Sequence, residues 1–348
     1  MDLTLPVVAI GGGTLAIAFY LAWSIGANDL ANSMGTSVGS KALSIRKAII
    51  VAGIFEFLGA TLVGVHVTRT LQYGIVNPYE PVFLANPYIY IYGMLAALLA
   101  AAIFVTISTY YSLPISTTQS IVGALIGFGI VAAGVSSISW GKMIEIGESW
   151  ILSPIIGAVL AFLVFFIIKK TIFDSPKPII STKKVVPFFT FAVASVILFS
   201  IFKGMEDTDI PQLSLIQVLI ITFFIATVAA FISYVLVNRY RVKGIKTEHE
   251  EYQSIEHIFI YLQLVTACYV AFAHGANDVA NAIGPLAAVI DILGSGTIGF
   301  GAGVPVWLII LGAAGIVIGL STWGHKVIEG FEKPLVETYI RPSSISYT

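Results

Sequence analysis

From Pro81 to Gly141 the chain carries no Asp, Glu, Lys, Arg or His. A helix that spans a bilayer needs about 20 mostly apolar residues, and this run offers two such stretches around a polar island at Ser112–Ser120. Residues 3–28 are also free of charge and open on Leu5-Pro6, where proline suits a first helical turn. Further apolar runs occupy 48–65 (broken only by Glu56), 149–168, 185–202, 210–238, 255–274 and 304–323. Charged residues make up 11% of the 348, against roughly 25% in a soluble domain. The expected fold class is therefore an all-α polytopic membrane protein with about ten membrane segments. Cys268 is the only cysteine, so no intrachain disulfide forms. The N-terminus lacks a basic flank and a small-residue cleavage site, so the first apolar run is expected to be retained. No nucleic-acid partner and no enzymatic constellation of Ser/His or His/Glu type is expected.

One polar stretch occurs twice. Gly26-Ala27-Asn28-Asp29-Leu30-Ala31-Asn32-Ser33-Met34-Gly35 returns 249 positions later as Gly275-Ala276-Asn277-Asp278-Val279-Ala280-Asn281-Ala282-Ile283-Gly284, with seven of ten residues identical. Each copy follows a long apolar run and so places a carboxylate and two carboxamides in or beside the membrane, where ionisable groups are costly and mark function. Such a pair at matching places in two halves of a hydrophobic chain points to the central site of a transporter. Short basic loops favour the cytoplasm. The basic connectors are 41–47, 169–184 and 239–246, whereas 67–87, 142–149 and 203–209 are acidic or sparsely basic. This alternation makes the two copies enter the membrane from opposite sides. The expected architecture is two inverted-topology repeats, with broken or re-entrant helices around a mid-membrane site. Residues 1–140 form the first repeat, 141–253 the intervening spans and cytoplasmic connectors, and 254–348 the second repeat.

Within each copy Asp and the second Asn are three apart and the two Asn four apart, which puts all three along one helix edge. Asn28, Asp29 and Asn32, with Asn277, Asp278 and Asn281, thus present hard oxygen ligands suited to Na⁺, Mg²⁺ or Ca²⁺. The competing reading is that they cap helices or join them by hydrogen bonds. Pro114-Ile115-Ser116-Thr117-Thr118-Gln119-Ser120 calls for a different ligand: a helix start with free N–H groups and several hydroxyls binds anions. Its competing reading is a Pro-kinked helix whose hydroxyls bond back to the backbone. No Lys or Arg lies inside an expected span, so an anion near Asp29 and Asp278 would be repelled unless bound cations reversed the local charge. Cation-coupled anion transport follows from that balance. Glu56, between Gly53 and Gly59, is either a further cation or proton site or an interhelical hydrogen bonder. His274, where the first copy has Ile25, is expected to be structural, with a proton relay as the alternative. His66 is expected to reach the interface from a span end. Tyr88, Tyr90, Tyr92, Trp140, Trp150, Trp307 and Trp323 are expected in the interfacial aromatic belt.

The two Gly-Ala-Asn-Asp-x-Ala-Asn motifs, the first continued as Met34-Gly35-Thr36-Ser37-Val38-Gly39-Ser40, resemble the inorganic phosphate transporter (PiT) family. Leu113-Pro114-Ile115-Ser116-Thr117-Thr118-Gln119 is similar to its Pro-x-Ser-Thr-Thr hairpin, and Ser153-Pro154-Ile155-Ile156-Gly157 to its Ser-Pro-x-x-Gly element. The resemblance implies an inverted-repeat helical fold, import of phosphate with Na⁺ or H⁺, and a homodimer in the cell inner membrane. It makes Asp29, Asn32, Asp278 and Asn281 cation and phosphate contacts, with Ser116, Thr117, Thr118 and Gln119 holding the phosphate. Asn28 and Asn277 join the Na⁺ set. Pro114 lies 88 residues after Gly26, and the same distance from Gly275 passes Thr348, so the resemblance implies a second hairpin that the 254–348 repeat lacks. Arg341-Pro342-Ser343-Ser344 resembles the family's connector before that hairpin. Na⁺ is preferred over H⁺ because carboxylate and carboxamide together make an oxygen cage without proton release. A sulfate permease on the same scaffold and an ion channel with Asp29 and Asp278 as filter carboxylates are the alternatives.

Overall fold

The computed structural model describes residues 5–204, 213–239, 248–299 and 303–330. Arg241, Arg341-Pro342-Ser343-Ser344, most of the 203–209 and 239–246 loops and the side chain of His66 lie outside the described residues. Eleven α-helices follow in order among the described residues: α1 Leu5–Gly39, α2 Ile45–Val63, α3 Val65–Tyr73, α4 Pro81–Ala85, α5 Pro87–Tyr110, α6 Thr117–Ala133, α7 Trp140–Ile168, α8 Pro178–Gly204, α9 Leu215–Arg239, α10 Glu248–Ser295 and α11 Val306–Trp323. Among the described residues the only extended pairing is an isolated bridge from Val76 to Ile138. Seven helices among the described residues are long and apolar enough to cross a membrane: α1, α5, α7, α8, α9, α10 and α11. Two of the expected spans fall short of that measure for plain reasons. The helix α2 carries Arg46, Lys47 and Glu56 within 19 residues, and α6 has only 17.

Neither motif breaks its helix. The first lies inside the unbroken α1 and the second inside α10, which at 48 residues measures roughly 72 Å. The irregular backbone falls instead at 111–116, between α5 and α6, where Ser112 takes φ 57°. Segment 142–149, expected as a loop, is the start of α7, and 67–87 holds α3 and α4. These helices form because Asn86 and Ser116 cap α5 and α6, accepting from Tyr88 N and Gln119 N, with Pro87 in the first turn of α5.

Contacts divide the chain into two units. The first comprises residues 1–143 and 267–348, so both polar motifs lie in it. Here α1 packs on α11 and α5, α11 on α2, and α5 on α6. Glycine makes the tightest crossings possible. A Cβ on Gly26 would collide with the Ile316 carbonyl, and one on Gly319 with that of Trp23. The other motif repeats this against α2: Gly275 meets the Glu56 carbonyl, and Gly59 that of Phe272. Trp23 and Phe272 are themselves 249 positions apart. Each motif helix is thus seated on the helix that follows the other motif. Close backbone approach through small residues is the ordinary means of packing helices in lipid. Gly319→Leu is expected to lower the melting temperature and the folded yield, because overpacking a tight contact costs about 1–3 kcal/mol or more. Thermal melting of the detergent-solubilised chain, compared with Gly123→Leu, measures it; a Cβ on Gly123 meets nothing within 4 Å.

Tyr90 belongs to the core of this unit and not to an interfacial belt. It is fully buried, its ring edge-on to Phe83 at 5.1 Å and Phe128 at 5.7 Å, and its hydroxyl donates to Gln72 O. Trp323 stacks on Trp23 at 5.6 Å. The neighbours Tyr88 and Tyr92 are exposed, as are Trp140, Trp150 and Trp307.

The second unit, residues 144–266, is built on α8 packed along α9. Only ten residues separate α8 from α9, and packed helices joined by so short a connector are antiparallel neighbours. Thr190 Oγ1 donates to Ser233 Oγ at 3.0 Å and sets their register. None of the α7 side chains is buried and most of its apolar ones are exposed, which suits lipid contact.

Candidate functional site

Asp29, Asp278 and Glu56 are each less than 5% exposed, and they surround one imidazole. His274 Nε2 lies 2.9 Å from Asp278 Oδ2 and 3.8 Å from Asp29 Oδ2, while its Nδ1 lies 3.8 Å from Glu56 Oε1. The 2.9 Å contact is a hydrogen bond; the two at 3.8 Å are too long to be. Single ligand atoms of Asp29, His274 and Asp278 all fall within 4.8 Å of one another, a spacing that admits one metal ion. The two carboxylates that lie 249 residues apart in sequence therefore share one buried site. Three acidic groups face at most one positive charge there, so the site attracts cations.

The hairpin ties the motifs together. Thr117 Oγ1, in the first turn of α6, donates to Asp29 Oδ2 at 3.1 Å and accepts from Asn281 Nδ2 at 3.3 Å. Asn281 Nδ2 also lies 3.1 Å from Thr118 Oγ1 and 3.2 Å from Asp278 Oδ1. Thr118 Oγ1 approaches Asp278 Oδ1 at 3.5 Å. Asn281 Oδ1 is buried without a hydrogen-bond partner, as is His274 Nδ1. A buried carbonyl oxygen in that condition is a ready cation ligand.

The matching asparagines are used differently. Asn28 is fully buried and commits its amide to Thr109 Oγ1 and Leu113 O, while its carbonyl accepts from Ile115 N. It holds the 111–116 turn in place. Its counterpart Asn277 is exposed and donates to Asp278 Oδ1 at 2.9 Å. In reverse, Asn32 is exposed and donates to Asp29 Oδ1, whereas Asn281 is buried. Among the described residues, the hairpin of the 111–116 turn and the start of α6 covers the first motif over Asn28 and the second over Asn281. Ser116 and Gln119 are exposed; the Ser116 hydroxyl caps α6 by accepting from Gln119 N.

Glu56 sits in the same cluster, its Oε1 accepting from Ser33 Oγ at 3.2 Å. Sequence reasoning expected His274 to be structural, with a proton relay as the alternative; its ring nitrogens lie within 4 Å of all three carboxylates. The available signal was its position directly before the second motif, where the first has Ile25. Glu56 is equally one-sided: it takes part in the α2–α10 crossing, and Ile316 stands at the corresponding point of the α11–α1 crossing.

Apolar helices enclosing buried carboxylates, carboxamides and hydroxyls, with no reactive nucleophile among them, describe a membrane transporter. The chain belongs to the phosphate transporter family, whose model matches residues 25–346. It is 41% identical over 334 residues to a putative phosphate permease of Pyrococcus furiosus, spanning 93% of this chain and 76% of that one. A chloroplastic inorganic phosphate transporter of Arabidopsis thaliana is 35% identical over 364 residues, 96% of this chain and 60% of that one. A solved structure titled as the sodium-dependent phosphate transporter superposes with TM-score 0.84 at 35% identity, covering 93% of this chain and 78% of the other.

Proposed function

We propose that the protein is a secondary active transporter that imports inorganic phosphate with Na⁺, by alternating access between two inverted repeats. The observation that carries this reading is the Thr117 bridge, one hydroxyl at a helix start bonded to Asp29 of one motif and Asn281 of the other. A helix N-terminus favours an anion, and the carboxylates beside it favour cations. Both ligands are thereby drawn to one place. A phosphate there needs bound cations to offset Asp29 and Asp278, so each ligand makes the other's binding favourable. That mutual dependence is the physical content of symport.

Na⁺ is the preferred coupling ion because Asp29, Asp278, Asn32 and Asn281 supply hard oxygens. The names of the family and of the solved neighbour support phosphate and Na⁺ respectively. Thr117 and Thr118 are the proposed phosphate contacts. Ser116 joins them by donating its hydroxyl proton, which the cap from Gln119 N leaves available, and Gln119 joins through its exposed side-chain amide. Asn28 acts by positioning the hairpin, Asn277 by orienting Asp278, and Glu56 through His274 as a further cation or proton site. The reciprocal seating of α1 on α11 and α10 on α2 supports the inverted repeats. Pairing of two copies in a cell inner membrane belongs to the same proposal and rests on the family resemblance.

Proteoliposomes containing the full chain test it, with Na⁺ and pH gradients imposed separately. Labelled phosphate is expected to accumulate under an inward Na⁺ gradient and not under a pH gradient alone. Accumulation driven only by pH would transfer the coupling to H⁺. Stronger uptake of sulfate would make the protein a sulfate permease, and ion currents independent of phosphate would make it a channel.

A further inference from the structure

The second unit contains a cavity of about 780 Å³ that the transport reading does not use. It lies among α8, α9 and the first half of α10, lined by aliphatic side chains such as Val193, Leu198, Ile225 and Val265. No carboxylate lines it, and its one charged wall residue is Arg239, at the last turn of α9. We propose that this groove binds one acyl chain of an anionic phospholipid, with the lipid phosphate held at Arg239.

Length is the first argument. The lining residues on α8 run from Val186 to Leu198, roughly 18 Å along the axis, and those on α9 from Ile225 to Arg239, roughly 21 Å. Half of a bilayer's hydrocarbon core is about 15 Å. The groove is therefore as deep as one leaflet, with its charged residue where a headgroup lies.

Charge is the second. Thr190 and Ser233 are hydrogen-bonded across the antiparallel pair. At that register Lys184, six residues before Thr190, comes level with Arg239, six residues after Ser233. Both side chains are exposed, so two cations flank the same mouth of an apolar slot. A guanidinium pairs with a phosphate through two parallel hydrogen bonds, and an ammonium adds a point charge. A zwitterionic lipid brings its own cation to that mouth and gains less.

The full chain, purified from vesicles of phosphatidylcholine mixed with phosphatidylglycerol and examined by native mass spectrometry, provides the test. One phosphatidylglycerol per chain is expected to remain bound, preferred over phosphatidylcholine by about fivefold for each cation. Ala229→Phe, which fills the slot, is expected to remove it. Arg239→Gln, at an exposed helix end and so without consequence for folding, is expected to keep a lipid but cut the preference about fivefold, leaving the share due to Lys184. Equal retention of the two lipids by the unaltered chain would overturn the proposal. So would unchanged retention in both variants, or a change of oligomeric mass in Ala229→Phe, which would seat a second copy in the slot. Uptake plays no part in these readouts, so they stand or fall apart from the phosphate assignment.

Discussion

Asp278→Asn is expected to abolish Na⁺-driven phosphate uptake while the chain stays folded, with Asp29→Asn following closely. Asp278 is the most heavily engaged carboxylate of the site. Its Oδ2 receives His274 Nε2 at 2.9 Å, and its Oδ1 faces Asn277, Asn281 and Thr118. An amide of the same size preserves packing but removes a charge and replaces one acceptor with a donor. With three carboxylates around one histidine, losing one leaves no cation unpaired, so folding is spared. A bound cation, by contrast, loses a charged ligand worth about 1.5–3 kcal/mol, roughly tenfold to a hundredfold in affinity. If cations are what make phosphate binding favourable, losing their main ligand removes both partners together. Initial rates of labelled phosphate uptake across a series of Na⁺ concentrations measure the effect, with thermal melting as the check on folding. Wild-type Na⁺ dependence in both variants would remove the two aspartates from the coupling site.

A second large effect is expected from Asn28→Leu, and it separates the two motif copies. The Asn28 side chain makes three hydrogen bonds to the α5–α6 turn, to Thr109, Leu113 and Ile115. Leucine fills similar space and satisfies none of them. The Thr109 hydroxyl is buried, and the bonds to Leu113 O and Ile115 N are half-buried. A buried polar group left without its partner costs about 1–3 kcal/mol, so the variant loses about that much and the melting temperature falls. Thr117 and Thr118 start the helix that this turn positions, so phosphate uptake falls with it. Asn277→Leu, at the matching position, is expected to leave the melting temperature nearly unchanged, because Asn277 is exposed. Equal destabilisation by both substitutions would refute the idea that one hairpin distinguishes them.

The site was legible to a considerable degree before any fold was known. Asp29, Asp278, Asn281, Thr117 and Thr118 are each conspicuous as polar residues in an apolar chain, and lipid penalises them whatever the topology. The geometry of their meeting was not legible, since hydrogen bonds such as that between Thr117 and Asn281 join residues 164 apart. The placement of His274 was not legible for a related reason. A single histidine shows no pattern, and only its placement among three carboxylates gives it meaning. The expected helix breaks at the motifs also failed. Gly26 and Gly275 looked like breaks because glycine loosens a helix in water, whereas here they allow helix backbones to touch.

What the residues determined by themselves was set by solvation: charge-free runs of spanning length made helices in a membrane, and a duplicated polar motif marked the place where that rule is broken. Tertiary structure decided which of two near-identical copies does what. Among the described residues, the hairpin of the 111–116 turn and the start of α6 lies over both motifs and buries Asn28 and Asn281, while Asn32 and Asn277 are exposed. Identical local sequence cannot encode that difference, because burial belongs to whatever packs against a residue and not to the residue alone.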